Sequence, residues 1–274
     1  MLSIAVRQVL EWNPGYLAEH SVGYDRLIGL DEKVSLAACG ACGFVFAPSY
    51  DPAVLQYTYE AIGRTGESKA KAFDFGRRLR RTAVWLQLLE MAQRPAPMDL
   101  RVLDFGCGWG DFLAVAKAPG VSVLGVDASE MQRAFAAQHG VQIVASLDDV
   151  DAESIDIAIC NQVMEHITDP REVLISIRRV MRKGGIGFFS VPDFTRYRWA
   201  KAQQKVDANI PLIKEVNPWE HVNYFDRSSF RRLLSESGFE RVPLPVDLRL
   251  KRAARVVRTA LQRPVGIVEY VRAK

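Results

Sequence analysis

The period of apolar positions changes near residue 100. Between residues 68 and 94 apolar side chains recur at helical spacing (Phe73, Leu79, Val84, Leu86, Leu88, Leu89), which predicts one or two helices. Arg94-Pro95-Ala96-Pro97 stops them and reads as a linker. From residue 100 onward, short apolar runs alternate with helical periodicity. Leu100–Phe105, Val121–Val126, Val141–Val144, Ile155–Cys160 and Ile186–Val191 predict strands, and Val265–Val271 is the expected closing strand. Asp111–Lys117, Ser129–His139, Pro170–Arg182 and Ser228–Ser237 predict helices. Ser129 is placed as an N-cap and Pro170 in a first turn, while Gly184-Gly185 and Gly238 close the helices before them. Strands that are apolar throughout, alternating with helices, predict a parallel sheet covered on both faces, an α/β domain over residues 99–274. Within it, residues 193–227 lack a period, are rich in aromatics and read as a lid-like insert. Residues 1–67 carry many turn signals and are expected to be irregular, with 68–98 a helical cap and linker.

Composition narrows the class. The chain has 274 residues, 49% hydrophobic and 25% charged, which excludes disordered and low-complexity classes. No apolar run approaches the ~18 residues of a membrane span, and the N-terminus does not read as a secretory signal. Four cysteines are too few for a disulfide framework, so a cytoplasmic location is expected. The net charge of +4 is unevenly placed: +1 over residues 1–98, −4 over 99–240 and +7 over 241–274. A nucleic-acid-coating protein is disfavoured, and a basic tail on a slightly acidic body remains.

The chemistry begins at Val102–Gly110, VLDFGCGWG, where a strand runs into a glycine loop and then a helix. Gly106 permits a tight turn, Gly108 lets a ligand approach the backbone, and helix N-terminal amides face it. Asp127 ends the next strand and can accept two hydrogen bonds from ribose hydroxyls, which points to an adenosine-containing ligand. The dinucleotide fingerprint needs a third glycine where Asp111 stands. Asp104 at the loop repels phosphates but suits an ammonium or sulfonium, which favours S-adenosylmethionine.

These features continue into GVDAS at Gly125–Ser129, NQVMEHITDP at Asn161–Pro170, VMRKGGIGFFSVP at Val180–Pro192 and PWEHVNYFDRSSFRRLLSESGF at Pro218–Phe239. With them the stretch from about 100 to 240 resembles the class I S-adenosylmethionine-dependent methyltransferases. The last segment resembles the bacterial subgroup that includes sugar- and quinone-methylating enzymes. The resemblance implies a Rossmann-like fold with a seven-stranded, mostly parallel sheet whose last strand is antiparallel. It implies that Asp104, Gly106, Cys107 and Gly108 surround the methionine part of the cofactor, Asp127 the ribose and Ala128 the adenine. Ser146 and Leu147 follow the third strand, where such enzymes often place an acidic adenine partner; Asp148 stands one or two positions late. Asn161 and Gln162 end the fourth strand beside the sulfonium.

Methyl transfer requires alignment and exclusion of water, and a hydroxyl acceptor also has to lose a proton. His166, in Glu165-His166, and His221, in Trp219-Glu220-His221, are the candidates for base or acceptor anchor. His139 reads as structural at a helix end, and His20 lies in the N-terminal part. Glu165 and His166 alone are too few ligands for a metal, so none is expected. Cys107 and Cys160 read as small core residues. Phe194, Tyr197, Trp199, Trp219, Tyr224 and Phe225 either wall an acceptor pocket or tie the insert to the sheet.

Cys39 and Cys42 have zinc-knuckle spacing without a second pair, and read as a degenerate knuckle. Residues 248–263 are basic with apolar positions interleaved. A solvated helix is the plainer reading, and contact with an anionic acceptor, a lipid-linked substrate or a membrane surface stays open. The expected activity is methyl transfer to a small molecule, foremost to a hydroxyl of a sugar or saccharide-related metabolite. The alternatives are carbon methylation of a sugar or quinone-like ring, and a non-catalytic adenosine-ligand-binding protein of the same fold.

Overall fold

A computed structural model describes residues 2–5, 33–48, 75–92, 99–195, 204, 221–243 and 266–274. His20, Tyr197, Trp199, Trp219 and the basic segment 248–263 lie outside the described residues. In chain order the strands and helices are β1 (Leu2–Ala5), β2 (Lys33–Ala38), β3 (Val45–Phe46), α1 (Phe75–Ala92), β4 (Leu100–Phe105), α2 (Asp111–Ala116), β5 (Val121–Val126), α3 (Glu130–Gln138) and β6 (Ile143–Val144). They continue with β7 (Ile155–Asn161), α4 (Pro170–Val180), β8 (Met181–Val191), β9 (Asn223–Tyr224), α5 (Arg227–Glu236), β10 (Phe239–Arg241) and β11 (Ile267–Ala273).

The chain divides into two units, one of Met1–Thr65, Glu165–Thr168 and Pro192–Phe230, the other of Gly66–Met164, Asp169–Val191 and Arg231–Lys274. The larger holds a seven-stranded sheet in the order β10-β11-β8-β7-β4-β5-β6. Pairing is parallel from β8 through β7, β4 and β5 to β6, whereas β11 is antiparallel to both β8 and β10. Strand order reverses at β4, which makes its carboxyl end a topological switch point.

Both sheet faces are covered, as the apolar strands require. Val102, Ile157, Ile159 and Phe188 face a cluster that Trp85, Leu88 and Met91 of α1 complete. The spacing of those three positions gives α1 one apolar face, while Leu86 between them is 59% exposed. A smaller cluster joins Cys107, Leu113, Ala136 and Val141.

Two details differ from the sequence reading. Helix α4 ends at Val180, and residues 181–191 are strand, so the Gly184-Gly185 pair interrupts a strand instead of closing a helix. Ile155 pairs with Met181 and Ile157 with Ile186, so β8 carries extra residues at a bulge. Gly184 there has φ 80°, a conformation that favours glycine. The edge strand β10 was also not anticipated; three residues give too short a period to detect.

The smaller unit has its own four-stranded antiparallel sheet, β1-β2-β3-β9. Strands therefore occur in the N-terminal region expected to be irregular, and β9, from the end of the lid-like insert, pairs with β3. Phe194, Tyr224 and Phe225 are buried. Phe194 and Tyr224 rings lie 5.0 Å apart, and Phe225 lies 5.1 Å from Phe44. These three aromatics are core, whatever the others do.

Candidate functional site

The glycine loop leaves β4 at its carboxyl end. Gly106 has φ 70°, and a Cβ on it would run into the Val163 side chain. Gly108 has φ 56°, but among the described residues a Cβ there would meet only the Gln132 side-chain amide, at 3.9 Å, so the backbone faces space that these residues leave open. One glycine is thus required by packing and the other leaves room for a ligand. Gly110 is the left-handed N-cap of α2.

Two aspartates flank the loop. Asp104 is 3% exposed, and its carboxyl accepts no hydrogen bond from the described residues. Burial pushes its pKa up to about 7; Arg81 opposes the shift, and the nearby charges of Asp111 and Asp127 add to it. Arg81 Nε lies 2.8 Å from Asp111 Oδ2, an ion pair from α1 to the first turn of α2. Asp127 is half-buried at the end of β5. Its Oδ2 accepts from Gly108 N–H and its Oδ1 from Ser129 N–H, both at 2.9 Å. Burial raises its pKa and these two backbone donors oppose the rise. Each oxygen keeps a further lone pair. With its amide nitrogen turned to the carboxylate, Gln132 donates to both oxygens, at 3.0 and 3.3 Å. Arg133 fixes the same turn by donating to the carbonyls of Asp127 (2.8 Å) and Ala128 (2.7 Å).

At the neighbouring strand end, Asn161 and Gln162 are exposed, and Gln162 has φ 59°, unusual for a residue with a side chain. Ser190 on β8 holds both: its hydroxyl donates to Asn161 Oδ1 at 2.6 Å and accepts from Gln162 Nε2 at 3.3 Å. Ser146 caps the turn Leu147–Asp149, accepting from Asp148 N–H at 3.1 Å. Leu147 is buried, and its carbonyl accepts from Arg179 at 2.7 Å. Cys107 turns its thiol into the core, where burial pushes its pKa up, so its part in a ligand site is confined to the backbone. His139 Nδ1 lies 2.9 Å from Phe135 O, a local helix-end contact.

The smaller unit carries the two candidate histidines. Their rings lie 4.8 Å apart at 65°. Glu165, only 2% exposed, has Oε1 3.8 Å from His166 Nε2. The Glu165 carbonyl accepts from Val222 N–H (2.8 Å) and Asn223 N–H (3.0 Å), and Asn223 Nδ2 donates to the Ile167 carbonyl. Residues 165–167 are thereby tied to β9. Cys39 and Cys42 sit in the turn between β2 and β3, closed by Cys39 N–H to Phe44 O at 2.7 Å. Among the described residues no third metal-ligating side chain joins them.

Sequence reasoning missed Arg81, Gln132, Arg133 and Ser190. The residues they serve are 30, 5, 6 and 29 positions away along the chain, counted to Asp111, Asp127, Asp127 and Asn161. Only Arg133 carried a signal, being one helical turn after the N-cap Ser129. Asn161 and Gln162 were found because they end an apolar run.

A glycine loop at the switch point, a buried carboxylate beside it and a latched aspartate on the next strand define the candidate site of an open α/β sheet. Over residues 75–244 the chain matches the methyltransferase domain family. It belongs to that family, and its class is that of the S-adenosylmethionine-dependent methyltransferases. It is 33% identical over 115 residues to the ubiquinone biosynthesis O-methyltransferase of Hahella chejuensis, covering 38% of this chain and 48% of that one. It is 25% identical over 149 residues to the same enzyme of Photorhabdus laumondii, covering 48% and 62%. The chain thus spans about half to three fifths of these relatives. In fold it is similar to the 1,6-didemethyltoxoflavin-N1-methyltransferase of Burkholderia thailandensis, solved with bound 1,6-didemethyltoxoflavin and S-adenosylhomocysteine. The TM-score is 0.56 at 18% identity, covering 88% of this chain and 99% of that one. No helix among the described residues is long and apolar enough to cross a membrane.

Proposed function

We propose that the chain methylates a ring hydroxyl of a small molecule, with the cofactor held at the ends of β4, β5 and β7. The observation that carries this is Asp104: a buried carboxyl, without a hydrogen bond from the described residues, beside a glycine whose backbone faces space that these residues leave open. Arg81, the cation that acts on it, is paired with Asp111, so a ligand cation is the partner that would offset its burial. S-adenosylmethionine, when bound, supplies an ammonium to Asp104 and a methyl group on a sulfonium. Asp127 accepts the ribose hydroxyls on its remaining lone pairs, and Gln132 yields that place to them. Asn161, oriented by Ser190, lines the methionine side. The buried Leu147 offers at most an apolar contact.

His166 and His221 hold the acceptor and take its proton. Hydroxyl methylation is supported by the names of the curated relatives, and a quinone-like phenol or a sugar is the acceptor class. Carbon methylation of such a ring is the second reading, because removal of a proton by the same histidines also generates a carbanion. The experiment is turnover, followed as S-adenosylhomocysteine release, with catechols and with nucleotide sugars. His166→Ala and His221→Ala are expected to lower kcat at least about tenfold while cofactor affinity stays within twofold or so. Unchanged turnover in both variants removes the histidines from the mechanism.

A further inference from the structure

We infer that Glu165, His166 and His221 bind one divalent transition-metal ion of the zinc type. Their ligand atoms all lie within 4.8 Å of one another, the one such group of three or more among the described residues. The donor set is one carboxylate and two imidazoles, contributed by two chain segments that β9 fastens together. Val222 and Asn223 N–H donate to the Glu165 carbonyl at 2.8 and 3.0 Å, and Asn223 Nδ2 donates to Ile167 O. The frame is therefore set before a ligand arrives. Glu165 is 2% exposed and the His166 side chain 15%, so the set is largely shielded from solvent.

The chemistry of the set selects the ion. Magnesium and calcium take oxygen ligands, whereas imidazole with carboxylate suits zinc, cobalt, iron or nickel. In a tetrahedral zinc site nitrogen and oxygen ligands stand about 3.3 Å apart, so the three groups need to close by at most about 1.5 Å through side-chain rotation. Three protein ligands leave a position open; a hydroxyl bound there loses its proton more readily, to solvent, and with the ion in place the two imidazoles act as its ligands instead of as the base. The use of the site rests on the methyltransferase reading above; the binding does not, and is tested apart from it.

The test is cobalt(II) titration of the full chain after chelation, followed by visible absorption and repeated with zinc by calorimetry. A Cys39→Ser/Cys42→Ser variant controls for the cysteine pair. One equivalent of ion is expected, without a thiolate charge-transfer band, and unchanged in the cysteine variant. Glu165→Gln, His166→Gln and His221→Gln should each weaken binding at least about tenfold. No binding at millimolar cobalt or zinc, or binding lost only with the cysteines, overturns the proposal. If a ligand variant fails to fold, the histidine ring signals of the wild-type protein decide by NMR. Chelator-reversible shifts of His166 and His221 support the site, and shifts confined to other histidines overturn it. Histidine-dependent turnover without metal binding would leave the proposed function standing, and metal binding without turnover the reverse.

Discussion

Asp104, in the role proposed for it, trades stability for binding. Its carboxyl titrates at about 7 in the fold against 3.8 ordinarily. The folded chain therefore keeps a proton that the unfolded chain releases, and the stability of the ligand-free protein falls as pH rises from 3.8 to about 7. Asp104→Asn should remove that fall and raise the melting temperature at pH 8. The same variant should weaken S-adenosylmethionine at least about tenfold, through loss of a charge-assisted contact. In the wild type, cofactor affinity should drop as pH falls below about 7, with proton release on binding; a pH-independent affinity would contradict the assignment. The two glycines should separate as well. Gly106→Ala meets both a left-handed φ and the Val163 side chain, and is expected to cost about 2–4 kcal/mol of stability in urea unfolding. Gly108→Ala meets only the conformational cost, about 1–2 kcal/mol, and its larger effect should fall on cofactor binding. Ser190→Ala should raise the cofactor dissociation constant about fivefold, the worth of one net hydrogen bond of about 1 kcal/mol.

At the scale of elements, the legible features were those with a local cause. β4 and β5 carry the bounds that their apolar runs indicate, and α3 starts after Ser129, whose hydroxyl accepts from Gln132 N–H. The start of β8 is ambiguous in the sequence because Gly184-Gly185 has the same form in a helix stop and in a strand bulge; only pairing with β7 distinguishes them. β9 was invisible because two residues make a strand only by pairing with β3. In the candidate site, the placement of Asp104, Gly108 and Asp127 was legible because it follows from position in a strand–loop–helix unit. Arg81 and Ser190 were not, since their partners come from other elements. Helix α1 is one such distant contributor. Trp85 is 6% exposed and meets Phe112 edge-on, with centroids 6.4 Å apart, and Tyr270 OH donates to Gln87 at 2.6 Å. Trp85→Ala is expected to cost about 3–5 kcal/mol by chemical denaturation; less than about 1 kcal/mol would mean that α1 is not part of the core of its unit.

At the scale of the whole molecule, chemistry-bearing residues fall in both units. The larger carries the glycine loop, Asp104, Asp127 and Asn161, and the smaller carries Glu165, His166 and His221. The chain passes from one set to the other within NQVMEH, residues 161–166, so in the sequence the strand end proposed for the cofactor is followed directly by residues proposed for the acceptor. The charge distribution agrees with a small-molecule partner for the body of the chain, which is slightly acidic over residues 99–240. The central claim is that Asp104 and Asp127 hold S-adenosylmethionine, and calorimetric titration of the full chain with S-adenosylhomocysteine tests it most directly. One site is expected, weakened about 10- to 100-fold by Asp127→Ala, as loss of hydrogen bonds to a charged acceptor implies. The absence of binding at millimolar ligand, or an Asp127→Ala variant that binds as tightly as the wild type, would contradict it.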